Sequence, residues 1–356
     1  DNPTILEGNA VYDSPGWGIV HHDSNALLTN NATYDTFGAG FVAETGNEIG
    51  AWVDNIAIYA QGVSWEDTKN TSNVDGDDFD TARGGEGFWF QGRMVAAYDN
   101  VAASMNMGFV YFHRDGDDRM IEFDSAYFRY PDALFNDPEV RADEVPILGF
   151  QGNEAFAVNQ GLHVAKAAAL QGHDVWTHMD DFTAWSVVTG VHLQYTSHYL
   201  LTDFDVIGKE DTPFRPAESG FEFGNNMNDV VIANAQIDGF ATGIDLHKHF
   251  VHNFTTPDFH QYFVVDPVMT NVDQEYANYD ARYDQIPNDS DASIFTAGLL
   301  GGQYVGITPG NAEDVYRDGD TVEYVQDAIV LEKLISKYLF SQAGRDKATE
   351  APATQE

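Results

Sequence analysis

Cations, cysteine and long apolar runs are scarce or absent in this sequence of 356 residues. Only 17 Lys and Arg residues oppose 57 Asp and Glu, and the formal charge of −40 would repel nucleic acid and anionic membranes. The absence of cysteine excludes disulfides and thiolate chemistry and fits a bacterial extracellular protein. No run approaches the ~20 apolar residues of a membrane-spanning helix. We therefore expect an extracellular or cell-surface protein that binds no nucleic acid and does not insert into membranes.

The two ends of the chain differ in what they predict. The sequence opens at Asp1 directly on a repeat and shows no signal peptide, so we expect a mature form or a piece of a larger chain. Residues 344–356 are polar and lack an apolar period, which predicts a disordered tail.

A short phrase recurs along the chain. GNAVYDSPGWGIV, from Gly8, reads like NNATYDTFGAGFV, from Asn30, and Asn9 of the first segment falls 22 residues before Asn31 of the second. Its Gly-apolar core occurs seven times, at intervals of 21 to 53 residues, beginning at Gly18, Gly40, Gly87, Gly108, Gly161, Gly190 and Gly243. Such intervals indicate the coils of a solenoid, some of them interrupted by insertions.

The repeated segments are short, rich in β-branched and aromatic residues, and separated by Asn, Gly and Asp, as strands are. Regularly spaced leucines are missing, and helical spacing appears only near the end of the chain. We predict an all-β fold, a single right-handed parallel β-helix over residues 1–320, with insertions at about 63–83, 114–146 and 207–224. A C-terminal helix is predicted over 321–343. Recurrent asparagines should lie at the bends, where they tolerate a left-handed backbone and can hydrogen-bond from coil to coil, namely Asn9, Asn31, Asn55 and Asn100.

Strand alternation sorts each phrase into inward and outward positions. The residue after each glycine should point into the core, and all seven are apolar: Ile19, Phe41, Phe88, Phe109, Leu162, Val191 and Ile244. The second and fourth positions should point outward, and many of them are polar or aromatic: His22, Glu44, Trp89, Gln91, His163, His192, Gln194, Asp245 and His247.

Aromatic faces and fixed hydrogen-bonding groups at the spacing of strands suit a polysaccharide, and His and Glu suit the proton transfers of glycan cleavage or epimerisation. The alternative is an ordinary solvated surface or a face that packs under loops. His163, His113 and Glu44 are candidate catalytic residues, and the cations Arg93, Arg114 and Lys166 are candidates for binding an anionic sugar.

The phrase NATYDTFGAGFVAETGNEIGAWVDN, residues 31–55, resembles the β-helix of the hyaluronidases that carry a glycine-rich N-terminal domain, a group related to the cell-migration-inducing hyaluronidase and fibrocystin. The resemblance extends weakly to about residue 265. In that group a Gly-His-Gly phrase precedes Glu-Asp-Gly and a further Glu. Here the corresponding residues are Gly38-Ala39-Gly40, Glu44-Thr45-Gly46 and Glu48, so the resemblance implies catalytic roles for Glu44 and Glu48.

Two acidic loops are candidate calcium sites, because carboxylates held close together need a cation and calcium prefers oxygen ligands. They contain Asp75, Asp77, Asp78, Asp80, Asp115, Asp117 and Asp118. A solvated acidic loop is the alternative. His247-Lys-His249 and His252 could bind a metal, because His residues two apart in a strand share a face, but the sequence identifies no third ligand.

The sequence thus predicts an extracellular polysaccharide-active β-helix protein. The alternative is a module without catalytic activity, which binds glycan or builds an adhesive stalk as part of a larger protein. The outward His, Glu and Trp residues favour the enzyme, whereas Ala39 and Thr45 favour the module.

Overall fold

The chain forms two compact units, Asp1–Tyr279 and Asp280–Glu356. The computed structural model describes residues 3–62, 82–113, 120–122, 139–141, 145–166, 176–194, 196–209, 217–224, 227–246, 262–278, 291–296, 303–308 and 324–326. All regular elements in these ranges are strands, which confirms the all-β prediction for this part of the chain. Across the same ranges, no helix has the length and apolarity that crossing a membrane requires.

The described residues of the first unit form 26 strands. In chain order they are β1 (Thr4–Glu7), β2 (Ala10–Ser14), β3 (Ile19–His21), β4 (Asn25–Thr29), β5 (Ala32–Thr36), β6 (Phe41–Ala43), β7 (Ile49–Val53), β8 (Ile56–Ala60), β9 (Glu86–Phe90), β10 (Val95–Tyr98), β11 (Val101–Ala103), β12 (Met107–His113), β13 (Met120–Glu122), β14 (Glu139–Arg141), β15 (Phe150–Phe156), β16 (Gln160–Lys166), β17 (Thr177–Val187), β18 (Thr189–Gln194), β19 (Ser197–Gly208), β20 (Ser219–Phe223), β21 (Asn228–Ala233), β22 (Gln236–Asp238), β23 (Thr242–Leu246), β24 (Tyr262–Val265), β25 (Val268–Thr270) and β26 (Gln274–Asn278).

Of these strands, 24 stack as nine successive rungs, and β13 and β14 form a separate pair. A first sheet of 15 strands contains the first two segments of each rung, and a second sheet of nine strands contains the third segment. The order of strands in the second sheet is β3-β6-β9-β12-β16-β18-β20-β23-β26. All pairs between rungs are parallel, as Thr4 opposite Ala26 and Ile19 opposite Phe41 illustrate. The stacking confirms the predicted parallel β-helix over β1 to β26, and its right-handedness stays a prediction.

The predicted inward register is confirmed. Phe41, Phe88 and Phe109 are fully buried, and their rings stack with centroids 4.8 Å apart at each step. This distance equals the spacing of neighbouring strands, so one ring per rung fills the interior without a gap. Leu162, Val191 and Ile244 continue the column and are also fully buried.

An asparagine ladder joins five rungs at the bend between the two segments of the first sheet. The backbone N and the Nδ2 of Asn9 both donate to Oδ1 of Asn31, at 2.9 and 3.0 Å. The same pair of bonds connects Asn31 to Asn55, Asn55 to Asn100 and Asn100 to Asn153. The predicted hydrogen bonding from coil to coil is confirmed, and Asn153 extends it by one rung.

The left-handed backbone, however, lies one residue before each ladder asparagine. Positive φ angles belong to Gly8, Asn30, Asp54, Asp99 and Gly152. The prediction that the ladder asparagines themselves are left-handed was therefore wrong. Each of them must aim both its backbone N–H and its amide along the stack, so the reversal of the chain falls on the preceding residue, which is Gly, Asn or Asp as this conformation favours.

Two of the predicted insertions contain strands. Met120–Glu122 and Glu139–Arg141, within 114–146, form an antiparallel pair apart from the rungs. Ser219–Phe223, within the predicted insertion at 207–224, is instead a strand of the second sheet and pairs with β18. Its Gly220-Phe221-Glu222-Phe223 segment has the alternation of the other phrases, which explains why it continues the stack.

The described residues of the second unit form one sheet of three strands, β27 (Asp291–Thr296), β28 (Gln303–Thr308) and β29 (Tyr324–Gln326). The first of these pairs antiparallel with β28 and parallel with β29. Residues 324–326 were predicted to be helical, and this was wrong: pairing with Asp291–Ser293 prevails over the local apolar spacing. The rest of the predicted helix, 321–323 and 327–343, and the tail, 344–356, lie outside the described residues.

Candidate functional site

One outward column of the second sheet changes its chemistry halfway along the β-helix. Its members follow one another in register from rung to rung: Val20, Val42, Trp89, Val110, His163, His192, Glu222, Asp245 and Ala277. The early members are apolar, whereas four consecutive members in the middle and late rungs are titratable. We name these four, His163, His192, Glu222 and Asp245, the polar column.

His163 is held as a neutral imidazole. Its ring lies parallel to that of His192, with centroids 4.9 Å apart and planes 3° from parallel. Its Nδ1 lies 3.0 Å from Oε1 of Gln160 on the same strand. Removal from water, together with the neighbouring His192, lowers the pKa of His163 to about 3. At neutral pH this ring can accept and donate hydrogen bonds but brings no positive charge to the face.

His192 lies beside a carboxylate. Its Nδ1 lies 3.0 Å from Oε2 of Glu222 in the next rung, and the two side chains are 11% and 26% exposed. Among the described residues this Nδ1 makes no hydrogen bond, so the pair is defined by distance and charge. A carboxylate at this distance favours the tautomer with hydrogen on Nδ1, which leaves a lone pair on Nε2. The pair combines the two groups that a general base and its orienting carboxylate require.

Gly224 lies close to Nε2 of His192. Gly224 follows strand β20, and its backbone N donates to the carbonyl of Leu193 at 2.8 Å. A Cβ at this position would stand 2.8 Å from Cβ of Gln194, 3.2 Å from its Oε1 and 3.4 Å from Nε2 of His192. The site therefore has the titratable pair on one side and the amide of Gln194, one of the predicted outward residues, on the other.

Sequence reasoning predicted His163, His192, Gln194 and Asp245 on this face, and the structure places all four there. It missed Glu222, because residues 207–224 were assigned to an insertion. The signal was present in Gly220-Phe221-Glu222-Phe223, which repeats the Gly-apolar phrase with glutamate at the second position.

Three residues predicted to contact a polysaccharide are buried instead. Trp89 is 7% exposed and packs on Phe112 with ring centroids 5.4 Å apart, in an outer apolar cluster that includes Val42 and Val110. Gln91 is 4% exposed. The guanidinium of Arg93, a residue that is 1% exposed, bonds Oγ1 of Thr196 at 3.2 Å and lies 5.9 Å from the ring centre of Tyr199. Trp89 is covered by that outer cluster and Arg93 by Thr196 and Tyr199, so these side chains pack inside the protein rather than on an open face.

Glu48, implied as catalytic by the family resemblance, is buried and bonded to the backbone. It accepts hydrogen bonds from the N–H groups of Asp23, Thr45 and Gly46, at 3.1, 2.7 and 2.7 Å. Three donors on one carboxylate fix the turn between two rungs. The geometry thus gives Glu48 a structural role.

Glu44 and His22 lie at the surface of the first rungs. Nδ1 of His22 is 3.2 Å from Oε2 of Glu44 and 3.0 Å from Oγ1 of Thr45. Three rungs at about 4.8 Å each separate Glu44 from His163, roughly 14 Å along the stack. The structure therefore does not bring the two predicted catalytic residues together.

Several predicted site residues lie outside the described part of the chain. His113 and Lys166 are opposite each other on β12 and β16, but their side chains are not described. Arg114, His247 and both acidic loops, Asp75 to Asp80 and Asp115 to Asp118, are not described at all. Among the residues that are described, no group of three or more His, Asp or Glu side chains could hold a metal ion, and calcium stays a prediction.

A further titratable group is buried at the start of strand β9. Glu86 is 2% exposed and accepts hydrogen bonds from the N–H of Gly84, at 3.0 Å to Oε1 and 2.9 Å to Oε2. Burial raises its pKa to about 7, and the backbone hydrogen bonds oppose that rise. Sequence reasoning gave no indication of this carboxyl group, because its burial depends on distant segments.

Comparison with known families supports the fold of the first rungs. Residues 1–162 match the family model described as CEMIP beta-helix. The match agrees with a hyaluronidase-like β-helix family and with a class of proteins that act on glycans. It ends one residue before His163, so the polar column lies beyond the matched segment.

A different similarity involves a smaller share of the chain. Over 79 residues the chain is 39% identical to the intermembrane phospholipid transport system binding protein MlaD of Escherichia coli (strain K12). The aligned segment covers 20% of this chain and 43% of that protein. The MlaD of Haemophilus influenzae is 37% identical over 83 residues, covering 21% and 47%. The chain thus spans less than half the length of the curated relatives it matches.

Proposed function

We propose that the protein is an extracellular polysaccharide-active enzyme whose catalytic base is His192. The observation that carries the proposal is the pair of His192 and Glu222, 3.0 Å apart on an outward face of a β-helix whose first rungs match a family active on glycans. Glu222 orients the imidazole and stabilises its protonated form, and Nε2 takes the proton.

The other members of the polar column bind the glycan and take no part in the proton transfer. Parallel rungs present them at regular intervals of about 4.8 Å, so that successive sugars of an extended chain can each meet a polar group. Neutral His163 and the carboxylate of Asp245 accept hydrogen bonds from sugar hydroxyls on either side of the reacting bond. Hydrolysis, elimination and epimerisation would each use this arrangement.

The test is substitution of the pair, with a matched histidine as control. His192→Gln should lower turnover by about 100-fold or more, and Glu222→Gln should lower it by a similar factor, since loss of a positioned base costs roughly 100-fold to 10,000-fold. His178, a histidine of the first sheet bonded to Oγ1 of Thr202 at 2.8 Å, is the control, and His178→Gln should leave turnover unchanged.

Activity would be measured as new reducing ends and unsaturated products from hyaluronan, alginate, pectin and neutral glucans, with binding followed by calorimetry. Binding without product in the wild type would favour the noncatalytic glycan-binding module. Absence of binding to all four would contradict both.

The similarity to MlaD favours a second candidate function for a separate part of the chain. The paired strands of the β-helix continue to Asn278, whereas residues 280–356 form a unit of about a fifth of the chain, the share that the alignments cover. We propose that this unit is the MlaD-like segment and binds phospholipid. A fluorescent phospholipid that binds the whole chain but not residues 1–279 would support this. Equal binding to both would contradict it.

A further inference from the structure

We infer that the first three rungs carry a separate glycan-binding surface, a row of exposed tyrosines that takes a neutral polysaccharide chain. We name Tyr12, Tyr34 and Tyr59 the tyrosine row. They lie on β2, β5 and β8 of the first sheet, one in each rung, and are 75%, 54% and 47% exposed. The polar column lies on the second sheet, so this inference goes beyond the proposed function and does not depend on His192.

Strand pairing places the three tyrosines next to one another along the stack. Tyr12 is opposite Tyr34 in the parallel register of β2 and β5. Tyr34 is opposite Ile58, the residue before Tyr59, in the register of β5 and β8. At about 4.8 Å for each strand spacing, the row extends roughly 10 Å along the outer face. Apolar residues scattered singly over a surface need no explanation, but aromatic residues in three successive rungs are neighbours.

The fold does not account for a tyrosine at position 59. Tyr59 has a φ of 56°, in the left-handed region that a bulky side chain disfavours. The equivalent position of the two preceding rungs holds Asp13 and Asp35, with φ angles of 54° and 55°. The next rung has Ser104 there, at 63°. A large ring that strains the backbone and stays half exposed points to contact with a ligand.

The tyrosine row and its neighbours suit a molecule that has both apolar faces and hydroxyl groups. Among the described residues, none forms a hydrogen bond or a ring contact with the side chains of these three tyrosines. The rings therefore offer apolar surface together with free hydroxyls. Beside them lie the exposed carboxylate of Asp13 and that of Asp35, whose Oδ1 accepts from Nε2 of Gln61 at 2.6 Å. A sugar, with its C–H face and its hydroxyls, can use both kinds of group.

Charge and area favour a neutral glycan over other occupants. Asp13 and Asp35 directly follow Tyr12 and Tyr34, and the chain has a formal charge of −40, so a polyanionic glycan would be repelled. The tyrosine row exposes roughly 350 Å², since an aromatic side chain has about 150–250 Å². A stable protein interface needs about 800 Å² from each partner. The segment that matches the CEMIP beta-helix model, residues 1–162, contains all three tyrosines, which agrees with a glycan as the ligand.

Calorimetry with cellohexaose, a neutral oligosaccharide, tests the tyrosine row. Tyr34→Ala, in the middle of the row, should weaken binding about tenfold, because it removes one aromatic contact with the sugar. Tyr12→Ala and Tyr59→Ala should each weaken it by about threefold to tenfold, whereas Tyr34→Phe keeps the ring and should stay within about threefold of the wild type. Tyr276→Ala is the matched control, a tyrosine of the last rung that is 43% exposed, and should leave the affinity unchanged. Thermal melts check that each variant is folded.

The outcomes separate this surface from the proposed active site. His192→Gln should leave the Tyr34-dependent binding unchanged. Binding that Tyr34→Ala weakens, in a protein that turns over no polysaccharide, would keep the tyrosine row and overturn the proposed enzyme. Turnover together with cellohexaose binding that none of the three alanine variants weakens would overturn the tyrosine row and leave the enzyme standing. Three other results would also overturn it: no binding of cellohexaose, tighter Tyr34-dependent binding of a hyaluronan hexasaccharide, or a dimer of the chain that Tyr34→Ala dissociates.

Discussion

The early and late rungs share one backbone plan and carry opposite chemistry on its outer face. In rungs two to four the outward column of the second sheet is Val42, Trp89 and Val110, all buried under a second apolar layer. In later rungs the same column is His163, His192, Glu222 and Asp245. Since strand pairing constrains only the backbone and the inward residues, the outward column is free to stabilise the fold in one half and to serve chemistry in the other.

The interior shows the reverse change. The early bends are joined by the polar ladder from Asn9 to Asn153, but the residue opposite Asn153 in the next rung is Phe182, followed by Phe204. These two rings lie 5.4 Å apart and are buried. The first half thus depends on buried hydrogen bonds at this bend and the second half on aromatic packing, which predicts that they respond differently to substitution.

Breaking the ladder should have the largest effect. Asn100 is fully buried; its Oδ1 accepts from the backbone N and the Nδ2 of Asn55, and its Nδ2 donates to the carbonyl of Trp52 at 2.8 Å and to Oδ1 of Asn153. Asn100→Ala leaves several of these buried groups without a partner. At about 1–3 kcal/mol for each such group, we expect a loss of roughly 4 kcal/mol in the free energy of unfolding, measured by denaturant titration.

Asn9, at the exposed end of the same ladder, supplies the control. It makes the same two bonds to Asn31, but water can replace them. Asn9→Ala should cost under about 1 kcal/mol. Equal losses of unfolding free energy in Asn9→Ala and Asn100→Ala would mean that burial of the ladder contributes nothing to stability. That result would contradict the statement that the first half of the β-helix depends on buried hydrogen bonds.

The next largest effect is the pH dependence of stability that the buried carboxyl group of Glu86 causes. Burial raises the pKa of Glu86 from 4.5 to about 7, so between these values the folded protein keeps the proton that the unfolded chain releases. Stability must then fall as pH rises from 4.5 to 7, by about 3 kcal/mol from this one group. Glu86→Gln should remove that fall, as thermal or denaturant unfolding at pH 4.5 and 7 would measure. Curves that stay parallel for the two proteins would contradict the buried, uncharged carboxyl group.

The comparison also separates what the sequence could predict from what it could not. Inward positions such as Phe41 and Phe109 followed from alternation after glycine, because alternation is local and every rung repeats it. Whether an outward residue meets water depends on segments distant in sequence, so the exposure of Trp89 and Arg93 was predicted wrongly. Glu222 was missed for a third reason. The composition of residues 207–224 indicates an insertion, whereas the Gly-apolar phrase within them indicates a strand of the next rung.

The smallest expected effect on stability comes from comparing two His–Glu pairs on the outer face, one in the early rungs and one in the late rungs. His22 and Glu44 lie 3.2 Å apart with side chains 62% and 35% exposed, whereas His192 and Glu222 lie 3.0 Å apart at 11% and 26%. Solvent screens an exposed pair, so Glu44→Gln should change the free energy of unfolding by less than about 1 kcal/mol. It should also leave turnover of polysaccharide unchanged, in contrast to Glu222→Gln, when both variants are assayed under the same conditions. A loss of turnover in Glu44→Gln with unchanged stability would move the active site to the first rungs, where the family resemblance placed it, and would leave the polar column as a binding surface.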